Sequence, residues 1–206
     1  EAKVGPDGAV WVLDWYNFII QHNPTPKLER GGYDAVNGLG NAYENPLRDK
    51  SRGRIWRIMP NDMDDNRSLT LDREDSKGLV KALSNDNMFW RMTAQRLLVE
   101  NGDTAVVPEL IKLVKNTEVD ILGLNPGALH ALWVLDGLRA VSSRTEALEV
   151  VKGALNHPSG MVRKAAIQIL PKNNSVDALL LESNILQDKD PEVQLAALIY
   201  FSEREP

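Results

Sequence analysis

The sequence predicts a mainly α-helical chain, a solenoid of stacked helix pairs behind a short β segment. Three observations carry that prediction. First, one helical phrase recurs along the C-terminal part of the chain. Its copies are Trp90-Arg91-Met92-Thr93-Ala94 with Leu98, Val162-Arg163-Lys164-Ala165-Ala166 with Leu170, and Val193-Gln194-Leu195-Ala196-Ala197 with Phe201; Gly127-Ala128-Leu129-His130-Ala131 with Leu135 is a variant. Second, the anchoring alanines, Ala94, Ala131, Ala166 and Ala197, are 37, 35 and 31 residues apart. A period of that size marks helical repeats, each burying its apolar face on the next. The alanine is small because neighbouring helices approach closely there. Third, residues 1–60 read differently: three of the five tryptophans and much of the glycine lie there.

In chain order, Val4-Gly5-Pro6-Asp7-Gly8 reads as a turn, with proline presetting one backbone angle and Asp-Gly forming the corner. Ala9 to Trp15 is β-branched and aromatic, hence a strand. A loop carrying Pro24, Pro26, Gly31, Gly32, Gly38, Gly40 and Pro46 follows. Gly53 to Met59 is a second strand, stopped by Pro60. Two strands bury no core of their own and need completion. The segment from Asn61 to Arg67 is acidic; it lacks the glycine and terminal glutamate of a calcium loop, so it reads as a solvated linker spanning 61–73. Helical repeats are expected over 74–206, beginning near Glu74 or Ser76 with a capping helix through Leu79, Val80 and Leu83.

Each repeat carries its own start signal. Asp103 caps a helix through Val106, Leu110 and Val114, with Pro108 in its first turn. Asn125-Pro126 and Asp190-Pro191 each pair a cap with a first-turn proline, and His157-Pro158 is expected to open a helix in the same way. Ser143 and Glu146 have capping-box spacing, and Asn174 is expected to cap the helix through Val176, Leu179 and Leu180. The Asp-Pro-x-Val phrase followed by Arg or Gln, together with the uneven spacing, makes the repeats HEAT-like rather than tetratricopeptide.

Bulk properties exclude several functions. A net charge of −5 argues against general nucleic-acid binding. No run of about 18 apolar residues spans a membrane. Without cysteine the chain has no disulfide, thiolate catalysis or thiolate metal site. Charge is uneven: residues 1–60 hold eight Lys/Arg and seven Asp/Glu, the remainder 16 and 22, which supports a boundary near Pro60. The chain opens at Glu1 without a methionine and closes on a leading helix with no partner, so it is expected to be a fragment truncated within the repeats. No phosphate-binding glycine loop, nucleophile elbow or zincin pair occurs.

The phrase Gly5-Pro6-Asp7-Gly8-Ala9-Val10-Trp11-Val12-Leu13-Asp14-Trp15-Tyr16-Asn17, then His22, Pro46-Leu47-Arg48-Asp49-Lys50 and Gly53-Arg54-Ile55-Trp56-Arg57-Ile58, resembles the end of the β-propeller in bacterial "membrane-bound dehydrogenase" proteins. These are relatives of soluble glucose and sorbosone dehydrogenases, in which HEAT repeats and often a haem-binding c-type cytochrome domain follow the propeller. Residues 1–60 would then be the C-terminal strands and loop of an incomplete propeller. One departure is Arg52, standing where that family often has His. The resemblance implies a parent that oxidises a sugar or sugar-derived alcohol with pyrroloquinoline quinone and calcium and passes electrons to haem c, in the periplasm or at the cell surface. Within it, this chain would be a non-catalytic spacer and docking segment whose partners are the rest of its own chain, the propeller and the cytochrome domain.

Candidate residues are few. Asp14, Asn17 and His22 bring a carboxylate, an amide and an imidazole to a strand end, an edge of a propeller site or a structural closure. Arg48, Arg52, Arg54 and Arg57, with Lys50, could meet an anion, or pair with Asp49, Glu44 and the acidic linker as an interdomain contact. Trp90, Trp133 and His130 sit at core spacing, and His157 reads as a helix-cap residue. The rival function is a protein-binding scaffold without redox chemistry, using a concave face with Glu109, Lys112, Glu149 and Lys152.

Overall fold

The computed structural model describes residues 1–14, 27–32, 51–62 and 69–204. The chain is mainly helical with a small antiparallel sheet at its N-terminal end, and it divides into two compact units, Glu1–Ser68 and Leu69–Pro206.

In the first unit, β1 (Ala2–Val4), β2 (Val10–Asp14) and β3 (Arg54–Ile58) form a sheet in that order, each pair antiparallel. The β1–β2 turn is built as its residues dictate. The Gly8 amide donates to the Gly5 carbonyl at 3.0 Å, and Asp7 Oδ1 accepts the Ala9 amide at 3.0 Å. Gly8 has φ 84°, a left-handed conformation that any Cβ would strain. Strand β1 is a strand that the sequence pattern does not show, because three residues are too few for an alternating pattern. It gives the expected pair a third strand, in register Ala2 with Val12 and Val12 with Trp56.

Alternation places Val4, Val10, Val12, Trp56 and Ile58 on one face, and Trp11, Leu13 and Ile55 on the other. Both faces are open: Leu13 is 54% exposed, Ile55 65%, Trp56 48% and Ile58 58%.

The second unit begins with α1 (Ser76–Ala82), capped by Asp75, whose carboxylate accepts the Gly78 amide at 2.9 Å. Then follow α2 (Met88–Asn101), α3 (Val107–Lys115), α4 (Pro126–Gly137), the short α5 (Ala140–Ser143), α6 (Thr145–Gly153), α7 (Gly160–Ile169), α8 (Asn174–Glu182) and α9 (Pro191–Ser202). Helix α1 packs on α2, and α2, α4, α7 and α9 pack on one another in succession; α3 lies against α4 and α6. Leu79, Leu98, Leu110, Leu132, Leu135, Ile167 and Leu180 fill the continuous core. Gly137 lets α4 approach α2, because a Cβ there would collide with the Val99 side chain. Among the described residues no helix is long and apolar enough to cross a membrane.

Several helix starts follow the sequence. Asn125 Oδ1 accepts the Ala128 amide at 2.9 Å with Pro126 in the first turn, and Asp190 Oδ1 accepts the Glu192 amide at 2.9 Å before Pro191. Asp103 caps a 3-10 turn, Thr104–Val106, that leads into α3. Others differ. The Ser143–Glu146 capping box does not form, because Ser143 closes α5 and its hydroxyl donates backwards to the Arg139 carbonyl at 2.8 Å. Asn173 rather than Asn174 caps α8. Pro158 precedes the cap of α7 instead of entering its first turn; the cap is Ser159, whose own hydroxyl is buried with no hydrogen-bond partner among the described residues. His157 supplies the acceptor instead, taking the Ser159 amide on Nδ1 at 3.0 Å. Its Nε2 then donates to the Asn116 carbonyl at 2.9 Å, tying this turn to the end of α3.

The caps also fix a register. Counted from Asn87, Asn125, Ser159 and Asp190, the seventh residues are Ala94, Leu132, Ala166 and Ala197, each 0% exposed. The anchor position of α4 is therefore Leu132, one residue beyond the predicted Ala131, although Ala131 is buried as well. The fourth residues are Arg91, Leu129, Arg163 and Gln194, and three of these make the same contact. Arg91 Nη1 donates to the Asn85 and Asp86 carbonyls at 2.6 and 2.9 Å. Arg163 Nη1 donates to His157 and Pro158 at 2.7 and 3.0 Å, and Gln194 Nε2 to Asp188 at 2.6 Å. A long side chain one turn into the helix thus satisfies the carbonyls of the turn leading to it. Leucine cannot, and the turn before α4 is held instead by Asn125 Nδ2, which donates to the Asn116 and Glu118 carbonyls at 2.7 and 2.9 Å.

Candidate functional site

Of the residues that the sequence singles out on the β unit, Asn17, His22 and Arg48 lie outside the described residues. Asp14, at the end of β2, faces Arg54 across the β2–β3 pair. Its Oδ2 accepts the Trp56 indole N–H at 3.0 Å and lies 3.5 Å from Arg54 Nε. The Arg54 guanidinium also sits 5.2 Å from the centre of the Trp56 ring. Arg57 Nε pairs with Asp7 Oδ2 at 2.5 Å. The Trp11 indole, with Arg57 and the Ala9 amide, pulls the Asp7 carboxyl down to about 2. Arg52 stands exposed ahead of β3.

The arginines expected to reach Asp49, Glu44 and the linker thus include two whose described partners are carboxylates of their own sheet, Asp14 and Asp7. Strand pairing brings Arg54 opposite Asp14, a neighbourhood that linear spacing did not reveal. A carboxylate already engaged by an indole and a guanidinium is a poor ligand for calcium. Among the described residues, no three His, Asp or Glu side chains cluster as metal ligands. Haem c attachment through a Cys-x-x-Cys-His motif needs cysteines, and this chain has none.

On the helical unit, Glu109 and Lys112 pair at 2.6 Å within α3, and Glu149 and Lys152 at 2.7 Å within α6. These exposed three-residue pairs satisfy each other and contribute little, of order a few tenths of a kcal/mol each. Trp133 packs partly buried against the core, and Trp90 stacks edge-on against Phe89 at 5.0 Å.

A polar constellation beside an open groove lies between α2 and α4. His130, 6% exposed, places Nδ1 2.7 Å from Gln95 Oε1 and Nε2 3.3 Å from Arg91 Nε. The Arg91 N–H can only donate, so Nε2 accepts and Nδ1 carries the proton that it gives to Gln95. Burial, with the Arg91 charge beside it, holds His130 down to about 4, so it is neutral at pH 7. Above this floor opens a groove of about 370 Å³ walled by Met88, Met92, Leu129, Trp133 and Met161. From the sequence His130 reads as a satisfied core imidazole because nothing ionisable lies one turn away on its own helix. Its partners come from α2, 35 and 39 residues back. Only the packing of α2 on α4 places Arg91 and Gln95 beside it.

A sequence family described as "Domain of unknown function (DUF7133)" matches residues 1–62, within the β unit, and leaves the helical unit uncovered. No curated protein and no solved structure matches the chain.

Proposed function

We propose that the chain is a non-catalytic spacer and docking segment of a multidomain sugar or alcohol dehydrogenase-like oxidoreductase. In this reading, a HEAT-like solenoid is carried on the closing blade of a β-propeller. The observation that carries it is the sheet. Propeller blades are antiparallel meanders stacked face to face, so each needs apolar side chains on both faces. Strands β1 to β3 form such a meander, with Val10, Trp56 and Ile58 open on one side and Leu13 and Ile55 on the other. A sheet resting on one helix layer would be apolar on one face only. The stacking of α2, α4, α7 and α9 in one cap-relative register supports HEAT-like repeats, whose rigid layer suits the spacing of two modules.

The rest of its own chain is the primary partner, and the chemistry resides there: the quinone, calcium and haem c belong to other blades and domains, at the periplasmic or outer face of a bacterium. Dye-linked oxidation of aldoses with added pyrroloquinoline quinone and calcium tests this. The parent protein is expected to reduce the dye and the 206-residue chain is expected to give only the blank rate. Turnover by this chain alone, or none by the parent, contradicts the proposal. The second outcome would favour a protein-binding scaffold with no redox role.

A further inference from the structure

Arg91 and Arg163 are the same residue of two repeats, and only one of them has its acid. Both stand fourth from a helix cap and both send Nη1 to the two carbonyls before that cap. The outer edge of Arg163 is closed by Asp188, with Nε to Oδ2 at 2.7 Å and Nη2 to Oδ1 at 2.6 Å. Asp188 lies two residues before the cap of the following leading helix, Asp190. The corresponding position for Arg91, two residues before Asn125, is Gly123, which has no side chain. Among the described residues no carboxylate forms an ion pair with Arg91, and its Nη2 makes no hydrogen bond; Asp86 attracts it only through space. Its Nε has just the long 3.3 Å contact with His130.

The groove of about 370 Å³ begins at this edge, with Met88, Met92 and Met161 and the Trp133 and Leu129 side chains along it. Its volume falls within the range of about 300–1,000 Å³ usual for small-molecule sites. Methionine walls adapt to irregular apolar shapes, and a guanidinium N–H without an acceptor favours a carboxylate through a charge-assisted hydrogen bond.

The geometry points to a binding site in this groove for a small apolar carboxylate, such as a medium-chain fatty acid. Its carboxylate accepts from Arg91 Nη2, as Asp188 Oδ1 does from Arg163 Nη2, while Arg91 Nε stays with His130, and its hydrocarbon lies against the methionines and Trp133. Neutral His130 and Gln95 hold the arginine edge in position without competing for the charge. This site does not depend on whether the chain belongs to an oxidoreductase.

Titration calorimetry of the full chain with decanoate and with decan-1-ol as the uncharged control tests the assignment. One decanoate per chain is expected to bind, with decanol weaker by about ten-fold or more, the worth of a charge-assisted pair. Arg91→Met is expected to weaken decanoate by about the same factor while leaving decanol unchanged. Because Arg91 also braces a turn, a second variant keeps it: Gly123→Asp supplies the absent acid from within the chain and is expected to abolish decanoate binding. Position 123 has open space around it, and aspartate tolerates its φ of 76° better than most residues. Equal affinity for decanol, no saturable binding of decanoate, or decanoate binding that survives Gly123→Asp would overturn the proposal. So would an acidic capped peptide that binds this groove where decanoate does not.

Discussion

Replacing Arg163 with methionine is expected to destabilise the helical unit by about 3–5 kcal/mol, the usual cost of leaving one member of a buried ion pair behind. The magnitude follows from burial and from the number of bonds lost. The Arg163 and Asp188 side chains are 6% and 10% exposed, and the guanidinium makes four hydrogen bonds, two to Asp188 and two to the carbonyls of His157 and Pro158. Methionine fills most of the volume but leaves the carboxylate and both carbonyls short of donors. Urea unfolding followed by helical circular dichroism reads the change. A loss under about 1 kcal/mol would mean that the pair is as solvated as a surface bridge.

The same pair sets an acid dependence. Arg163 hydrogen bonding holds Asp188 below its ordinary value of 3.8, with the Asp190 amide adding to the effect. A carboxylate more acidic in the folded state favours folding wherever it is ionised in the unfolded chain. This contribution is complete above the ordinary value and is lost as the pH falls below it towards the depressed folded value. The methionine variant should therefore lose less stability than the parent chain on acidification through that window.

Leu132→Ala is expected to cost about 2–5 kcal/mol, the range for truncating a wholly buried leucine. Leu132 is 0% exposed at the position where α2, α7 and α9 carry alanine. Alanine itself suits this site in the other helices, so the cost comes from spacing: α4 has been set around a larger side chain, and its neighbours must close a cavity to recover contact. The reverse change, Ala166→Leu, should also destabilise, by about 1–3 kcal/mol, because there the helices already touch. Chemical denaturation of both variants checks the pair. If Leu132→Ala were neutral, the anchor of α4 would be Ala131, as the bare sequence suggests.

That one-residue shift shows what was legible in the sequence. Local chemistry was: Asn125, Asp190 and Asp103 cap where their side chains can reach an open amide, and β-branched runs pair as β2 and β3. Features needing a partner from another element were not. Ser143 has capping-box spacing with Glu146 but bonds back to Arg139, because a separate short helix ends on it. Strand β1 acquires its identity only by pairing with β2. At the candidate groove, Trp133 and His130 could be placed in the helix layer, yet the unmatched charge of Arg91 appears only when Gly123 is aligned with Asp188. For Asp14, the sequence shows a carboxylate at a strand end, whereas strand register gives it to Arg54 and Trp56.

The most direct test of the central claim, that a propeller blade and a helical-repeat spacer are joined here within a larger oxidoreductase, is the coding sequence on either side of this chain. Further blade-length β repeats are expected upstream, able to cover Leu13, Ile55, Trp56 and Ile58, with a Cys-x-x-Cys-His haem-attachment motif downstream. Flanks with neither feature would contradict it and leave the helical unit as a scaffold without redox partners.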